Sequence, residues 1–326
     1  MECLPRAASM CISMQTLLSP VAGESKPIPS CERENRAPVS SPPGLSPRAT
    51  AFGCPREFFN NRFVYAVVSP RARGLSIGVN MNPNKHCNFD CAYCEVSRAD
   101  AVSTNELNVD VMGAELEETL ALAHTGQLRD LPAYRNAPPE LLKLRHVTLS
   151  GDAEPTTCPG FIEAVHAVMH IRALGRFPFF KIVLITNAAG LDLPQVQKGL
   201  GFFTAQDEVW AKLDAGTQAY MDRVNRPDCP LEKVLANILL VARQRPVVIQ
   251  SLFPMLNGQE PPSEELDEYV RRLSELKAGG AQIPLVQIYS ATRPTPHSEC
   301  GHLPLKSLSR IARLVKTVTG LKAEVF

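Results

Sequence analysis

Cys87-Asn88-Phe89-Asp90-Cys91-Ala92-Tyr93-Cys94 sets three cysteines four and three residues apart, directly after a short apolar stretch at 75–80. Thiols at that spacing fit on one loop, and one loop can wrap a cubane iron–sulfur cluster. A [4Fe–4S] cluster normally takes four thiolates. Three local ones leave one iron open to hold a substrate or cofactor. The competing reading is a zinc knuckle. Zinc prefers a closed tetrahedral site with four ligands, often supplied as two separated pairs. His86 is next to Cys87 in the chain, and the sequence has no second Cys-x-x-Cys pair. The triplet therefore favours the cluster.

Outward from this loop, short apolar strands alternate with amphipathic helices. Strands are expected at 75–80, 146–150, 181–186, 208–214, 247–252 and 285–289. Helices are expected at 111–123, 160–173, 231–243 and 263–278, with a final helix at 305–319 and a last strand at 322–326. Repeated strand–helix units imply a parallel sheet with right-handed crossovers. Six units fall short of a closed (β/α)8 barrel and suit an open, partial (β/α)6 TIM-like one. A doubly wound sheet is the alternative from pattern alone. In a barrel, function gathers at the carboxyl ends of the strands. The cysteine loop follows the first strand, and Ser150-Gly151-Asp152-Ala153-Glu154-Pro155-Thr156 follows the second. Small residues at 151 and 153 let backbone approach a ligand, and Pro155 stiffens the exit.

Side chains alternate along a strand. Over 208–214, Glu208, Trp210, Lys212 and Asp214 share one face, and Val209, Ala211 and Leu213 share the other. With the apolar face against the helices, Lys212 and Asp214 point inward near the upper rim. The same alternation puts Gln250, Gln287 and Tyr289 inside, with Thr186 and Asn187 at the end of the third strand. Arg293 follows the sixth strand, and its planar fork suits a carboxylate or phosphate. These residues describe a polar cavity; the bland alternative is a strand-end salt bridge between Lys212 and Asp214.

The cysteine loop resembles the cluster motif of the radical S-adenosylmethionine (SAM) superfamily. The 150–156 segment resembles its Gly-Gly-Glu-Pro stretch, in one subgroup Ser-Gly-x-Gly-Glu-Pro-Thr. Ala153 replaces the second glycine, which is tolerable where that residue keeps a negative φ. The resemblance implies a partial (β/α)6 barrel and a [4Fe–4S] cluster on Cys87, Cys91 and Cys94, whose open iron chelates SAM. It implies that Tyr93 lies near the adenine and that Gly151, Ala153 and Glu154 seat the methionine end. It makes Asn187, Lys212, Asp214, Gln287 and Arg293 candidates for ribose or substrate contacts. The chemistry implied is reductive cleavage of SAM to a 5′-deoxyadenosyl radical, fed by a one-electron donor of the flavodoxin or ferredoxin type. Asp214-Ala215-Gly216-Thr217 and Val224-Asn225-Arg226-Pro227 resemble segments of the tRNA wyosine-base (imidazoguanosine) synthases. That group adds a second cluster on upstream cysteines, where the ordered upstream region of this chain offers only Cys54, and the lysine that handles pyruvate there has no clear match. The substrate is thus a tRNA base or a small molecule, and an uncharacterised branch fits best.

Composition bounds these readings. A length of 326 residues with 44% hydrophobic content supports a substantial core. A formal charge of +1 gives no electrostatic case for nucleic acid. No apolar run nears a membrane span. Ten cysteines in a chain this long suggest metal binding in a reducing, cytoplasmic setting. Residues 1–55 read as a disordered Pro/Ser-rich tail, whose Cys3, Cys11 and Cys31 are incidental thiols, and 56–326 as the core domain. Cys158, Cys229 and Cys300 read as small hydrophobes rather than ligands, and His297, Cys300 and His302 as residues of a Pro-rich loop rather than a metal site. Two other classes remain: a non-catalytic zinc or iron–sulfur module, and an RNA binder with a vestigial cluster.

Overall fold

The computed structural model describes residues 51–52, 58–98, 106–292 and 295–326. The expected tail at 1–50, Cys54 and Arg293 lie outside the described residues.

The strands are β1 (Val64–Ser69), β2 (Gly74–Asn80), β3 (Leu144–Ser150), β4 (Lys181–Thr186), β5 (Glu208–Lys212), β6 (Val247–Leu252), β7 (Pro254–Leu256), β8 (Val286–Tyr289), β9 (Cys300–His302) and β10 (Ala323–Val325). The α-helices are α1 (Val109–Thr125), α2 (Phe161–Ala173), α3 (Pro194–Leu200), α4 (Gln218–Val224), α5 (Leu231–Ala242), α6 (Ser263–Ala278) and α7 (Leu305–Thr319). Eight strands form one sheet in the order β1-β2-β3-β4-β5-β6-β8-β10. All neighbours run parallel except β1, which is antiparallel to β2. The sheet curls into a half-barrel, a partial TIM barrel.

The register explains the two faces. Ile185, Trp210 and Val248 align across β4, β5 and β6, and Lys212, Gln250 and Gln287 align across β5, β6 and β8. Side chains one residue away, such as Leu184, Val209, Ala211 and Ile249, point to the helices and are fully buried in the main core. The inner face holds only a small apolar cluster of Val183, Trp210 and Val248. Polar pairs occupy much of the rest: Gln250 Nε2 donates to Gln287 Oε1 at 2.8 Å, and Ser76 and Thr148 hydroxyls meet at 2.8 Å.

Four features depart from the sequence reading. β1 adds a strand, joined to β2 by a tight turn at residues 70–73. Strand β5 ends at Lys212, so Asp214 lies on the loop beyond it. Helices α3 and α4 add to those named from the sequence. Cys300 and His302, read as loop residues, form β9, which pairs with β7 through Pro254↔His302 and Leu256↔Cys300. Cys158 is buried as expected, and Cys229 and Cys300 are half-buried.

Candidate cofactor site at the carboxyl ends of the strands

The cysteine loop leaves the end of β2 and is pinned by its backbone to the end of α4. Ala92 N donates to Val224 O at 2.8 Å, Asp90 N to Asn225 O at 3.1 Å, and Asp228 N to Asn88 O at 3.2 Å. From the other side, Asn187 Nδ2 donates to Asn88 Oδ1 at 2.8 Å.

Asp214 is the hub beneath this loop. Its Oδ2 accepts from the Tyr93 hydroxyl and from Asn225 Nδ2, the latter at 2.8 Å. Its Oδ1 accepts from Leu252 N at 2.8 Å. The same Asn225 amide lies 3.5 Å from Cys91 Sγ. The Lys212 ammonium is 3.7 Å from Asp214 Oδ2 and 4.7 Å from the centre of the Tyr93 ring, and it donates to the Tyr289 hydroxyl at 3.1 Å. The expected Lys212–Asp214 pair exists, and Lys212 also borders a cavity. Asp214 itself is turned into the protein, with both oxygens engaged.

Burial shapes the electrostatics. It pushes the Cys87 thiol up to about 11 and the Cys91 thiol up to about 12, the latter opposed by nearby Lys212. Burial and Asp214 hold the Tyr93 hydroxyl well above its ordinary value. Burial alone would lower the Lys212 ammonium, but Asp214 and Tyr289 outweigh it and hold it above its usual range.

The 150–156 segment is built for tight backbone geometry. Gly151 sits at φ 141°, and a Cβ there would fall 2.3 Å from Asn80 Oδ1. Ala153 is not among the residues of positive φ, which removes the steric objection to alanine. Glu154 caps the short turn Pro155–Thr157 and is buried. Its Oε1 accepts from Thr156 N at 3.1 Å, Thr156 Oγ1 at 2.7 Å and Thr186 Oγ1 at 2.5 Å, and its Oε2 from Asn187 N at 2.7 Å. Burial raises its carboxyl pKa while these bonds pull the other way. Glu154 therefore ties the end of β3 to the end of β4, and Asn187 passes that tie to the cysteine loop.

A cavity of about 480 Å³ opens beside these elements. Tyr93, Cys94, Gly151, Lys212 and Tyr289 line it. Gln287, expected at the cavity, is spent on Gln250 instead and lines none of it. Asn225 was visible in the sequence only as part of a family-like segment; its bond to the hub depends on the turn after α4. Among the described residues no three His, Cys, Asp or Glu side chains converge on a point where one metal ion could sit. Three thiols on one loop, the last of them beside a cavity bordered by an ammonium, supply the donor chemistry that a three-thiolate cluster and a small carboxylate-bearing cofactor would need.

The chain has the fold of the radical SAM enzymes. No family model matches it. It is 25% identical over 276 residues to a UPF0026 protein of Helicobacter pylori, an alignment that covers 78% of this chain and 80% of that relative. It superposes on Streptococcus suis SuiB, solved bound to S-adenosylmethionine, with a TM-score of 0.52 and 14% identity over 74% of this chain and 48% of SuiB. The chain thus spans about half of SuiB's length. It superposes on TYW1, solved with a lysine–pyruvate adduct, with a TM-score of 0.51 and 14% identity over 77% of this chain and 75% of TYW1. At such identities the likeness is one of fold.

Proposed function

We propose that the chain is a radical SAM enzyme that holds a [4Fe–4S] cluster on Cys87, Cys91 and Cys94 and SAM in the adjoining cavity. The observation that carries this reading is the position of three thiols on one loop after β2, the last of which, Cys94, lines the cavity at the carboxyl ends of the strands. When bound, the pair supplies one-electron reductive cleavage of SAM and a 5′-deoxyadenosyl radical that takes hydrogen from a substrate. The protein contributes ligation, orientation and a shielded space. Tyr93, locked by Asp214, presents a fixed ring to the cavity. Lys212, held charged by Asp214, offers its ammonium to a carboxylate. Gly151 lets the end of β3 pass close to Asn80 while bordering the cavity. Glu154 and Asn187 act through the backbone ends they brace. Burial holds the Cys87 and Cys91 thiols in the neutral form, so loading them releases protons. The electron enters from a flavodoxin- or ferredoxin-type donor, and the substrate is a small molecule or a tRNA base. No helix among the described residues is long and apolar enough to cross a membrane.

Anaerobic reconstitution tests this. The expected outcome is about four irons and four sulfides per chain, a brown chromophore, and 5′-deoxyadenosine on addition of SAM and dithionite. Replacing Cys87, Cys91 and Cys94 together by Ala should remove all three signals. Zinc without sulfide in the wild-type chain would overturn the proposal in favour of a metal-binding module.

A further inference from the structure

One cation in the cavity is left unused by the cofactor reading. Arg71 lies in the turn between β1 and β2, at the amino end of the parallel strands, and lines the same cavity as Cys94. Its guanidinium carbon stands 4.2 Å from the centre of the Tyr289 ring. Its Nε is buried without a hydrogen-bond partner among the described residues. Two residues on, Arg73 reaches Glu324 at 2.7 Å, so the acid near this turn is already taken. Among the described residues, the buried groups around Arg71 bring no compensating charge. His146 is neutral, its pKa lowered to about 3 by burial and by Lys181 and Arg71. Ser76 and Thr148 are bonded to each other. Asp214 is engaged by Lys212 and Tyr93. Glu95, also at the cavity, is exposed.

A partly desolvated guanidinium without an anion is costly. Stacking on Tyr289 fixes its plane, and a fixed planar fork matches two oxygens of a carboxylate or phosphate. Trp210 and Tyr289 offer aromatic surface beside it. We infer that Arg71 binds the oxyanion of a small organic substrate, a carboxylate or a phosphate ester, whose apolar or aromatic body lies against Trp210 and Tyr289. This rests on reading the cavity as the enzyme's substrate chamber. It favours a small molecule over RNA, because Arg71 and Lys212, the two cations that line the cavity among the described residues, sit inside it and do not form the row of basic residues that follows a phosphate backbone.

Trp210 is the sole tryptophan of the chain and lines the cavity, so its fluorescence reports on occupancy. The full chain, with and without reconstituted cluster, would be titrated with benzoate, phenyl phosphate and the neutral benzamide. The expected result is saturable binding of at least one anionic probe and none of benzamide, with benzoate against phenyl phosphate distinguishing the two oxyanions. Arg71→Gln should weaken that binding roughly tenfold or more, and Arg71→Lys by less. Circular dichroism checks that each variant is folded, and Arg71→Lys carries the test if Arg71→Gln is not. Equal binding of benzamide, no saturable anionic probe, an unchanged titration in a folded variant, or displacement of the probe by tRNA through Arg71 would each overturn the inference. Iron and sulfide content on the same samples reports on the cofactor reading separately. A chain that loads no cluster yet binds benzoate through Arg71 would defeat that reading and leave the anion site standing.

Discussion

His146 shows how one buried residue sets a pH limit. It stands on the inner face of β3, opposite Lys181 of β4, with its ring 5.3 Å from Trp210 in an edge-on contact. Lys181 is paired with Glu208, and Arg71 faces the imidazole from the β1–β2 turn. Burial and these two cations lower its pKa from 6.5 to about 3. Between those values an unfolded chain takes up a proton that the folded one refuses. Stability from this site is therefore complete above the unfolded value and falls as pH drops below it. The expected loss between pH 7 and pH 5 is about 2 kcal/mol. Urea unfolding at both pH values measures it, and His146→Gln should remove that share of the difference. An equal pH difference in the variant would mean that the folded imidazole titrates normally.

At the scale of elements, the family-like segment Asp214-Ala215-Gly216-Thr217 has a structural logic that its letters conceal. A Cβ on Gly216 would fall 2.1 Å from Tyr269 N and 2.5 Å from Glu268 C, both backbone atoms of α6. Glu265 of α6 accepts from Gly216 N and from Thr217 Oγ1, each at 2.5 Å, while Thr217 caps α4. Gly216→Ala should thus cost about 2–3 kcal/mol, since backbone cannot give way as a side chain does. Thermal unfolding would show a midpoint lower by roughly 5 °C or more; an unchanged midpoint would mean that α6 moves freely away. The strands were legible in the sequence because each carries an apolar face toward the helices: Val209, Ala211 and Leu213 marked β5 without any tertiary knowledge. β1 was not, because it is followed by a hairpin turn rather than a helix and so breaks the strand–helix rhythm. α3 and α4 span two turns each, too short for a period to show. The three cysteines were legible because their chemistry is local. Asn225 and Arg71 were not, since one depends on a helix end and the other on a ring that lies far along the chain.

Across the whole molecule, stability and access to the cavity belong to different parts of the sheet. β4, β5 and β6 pair on both sides, whereas β1 and β10 each pair on one. The main core joins the central strands to the helices. β1 rests mainly on a smaller cluster that includes Phe58, Leu128 and Tyr134, where the Tyr134 hydroxyl donates to Ala66 O at 2.6 Å. The cavity is lined by Val67 and Ser69 of β1 and by Phe326, the residue after β10. Between these edges the half-barrel is bridged by the ion pair of Arg73 and Glu324, in which the arginine is exposed. Such exposed pairs contribute only about 0–1 kcal/mol, so they hold the edges weakly. Local opening free energies range from near zero at such edges up to the global value in doubly paired core strands. Native-state hydrogen exchange should therefore find the slowest amides in β4, β5 and β6 and much faster ones in β1 and β10. An oxyanion seated on Arg71 should slow the β1–β2 turn and β1 preferentially. Uniform protection across all eight strands would show that the edges open only with the whole molecule, and that a ligand must enter from the end that carries the cysteine loop.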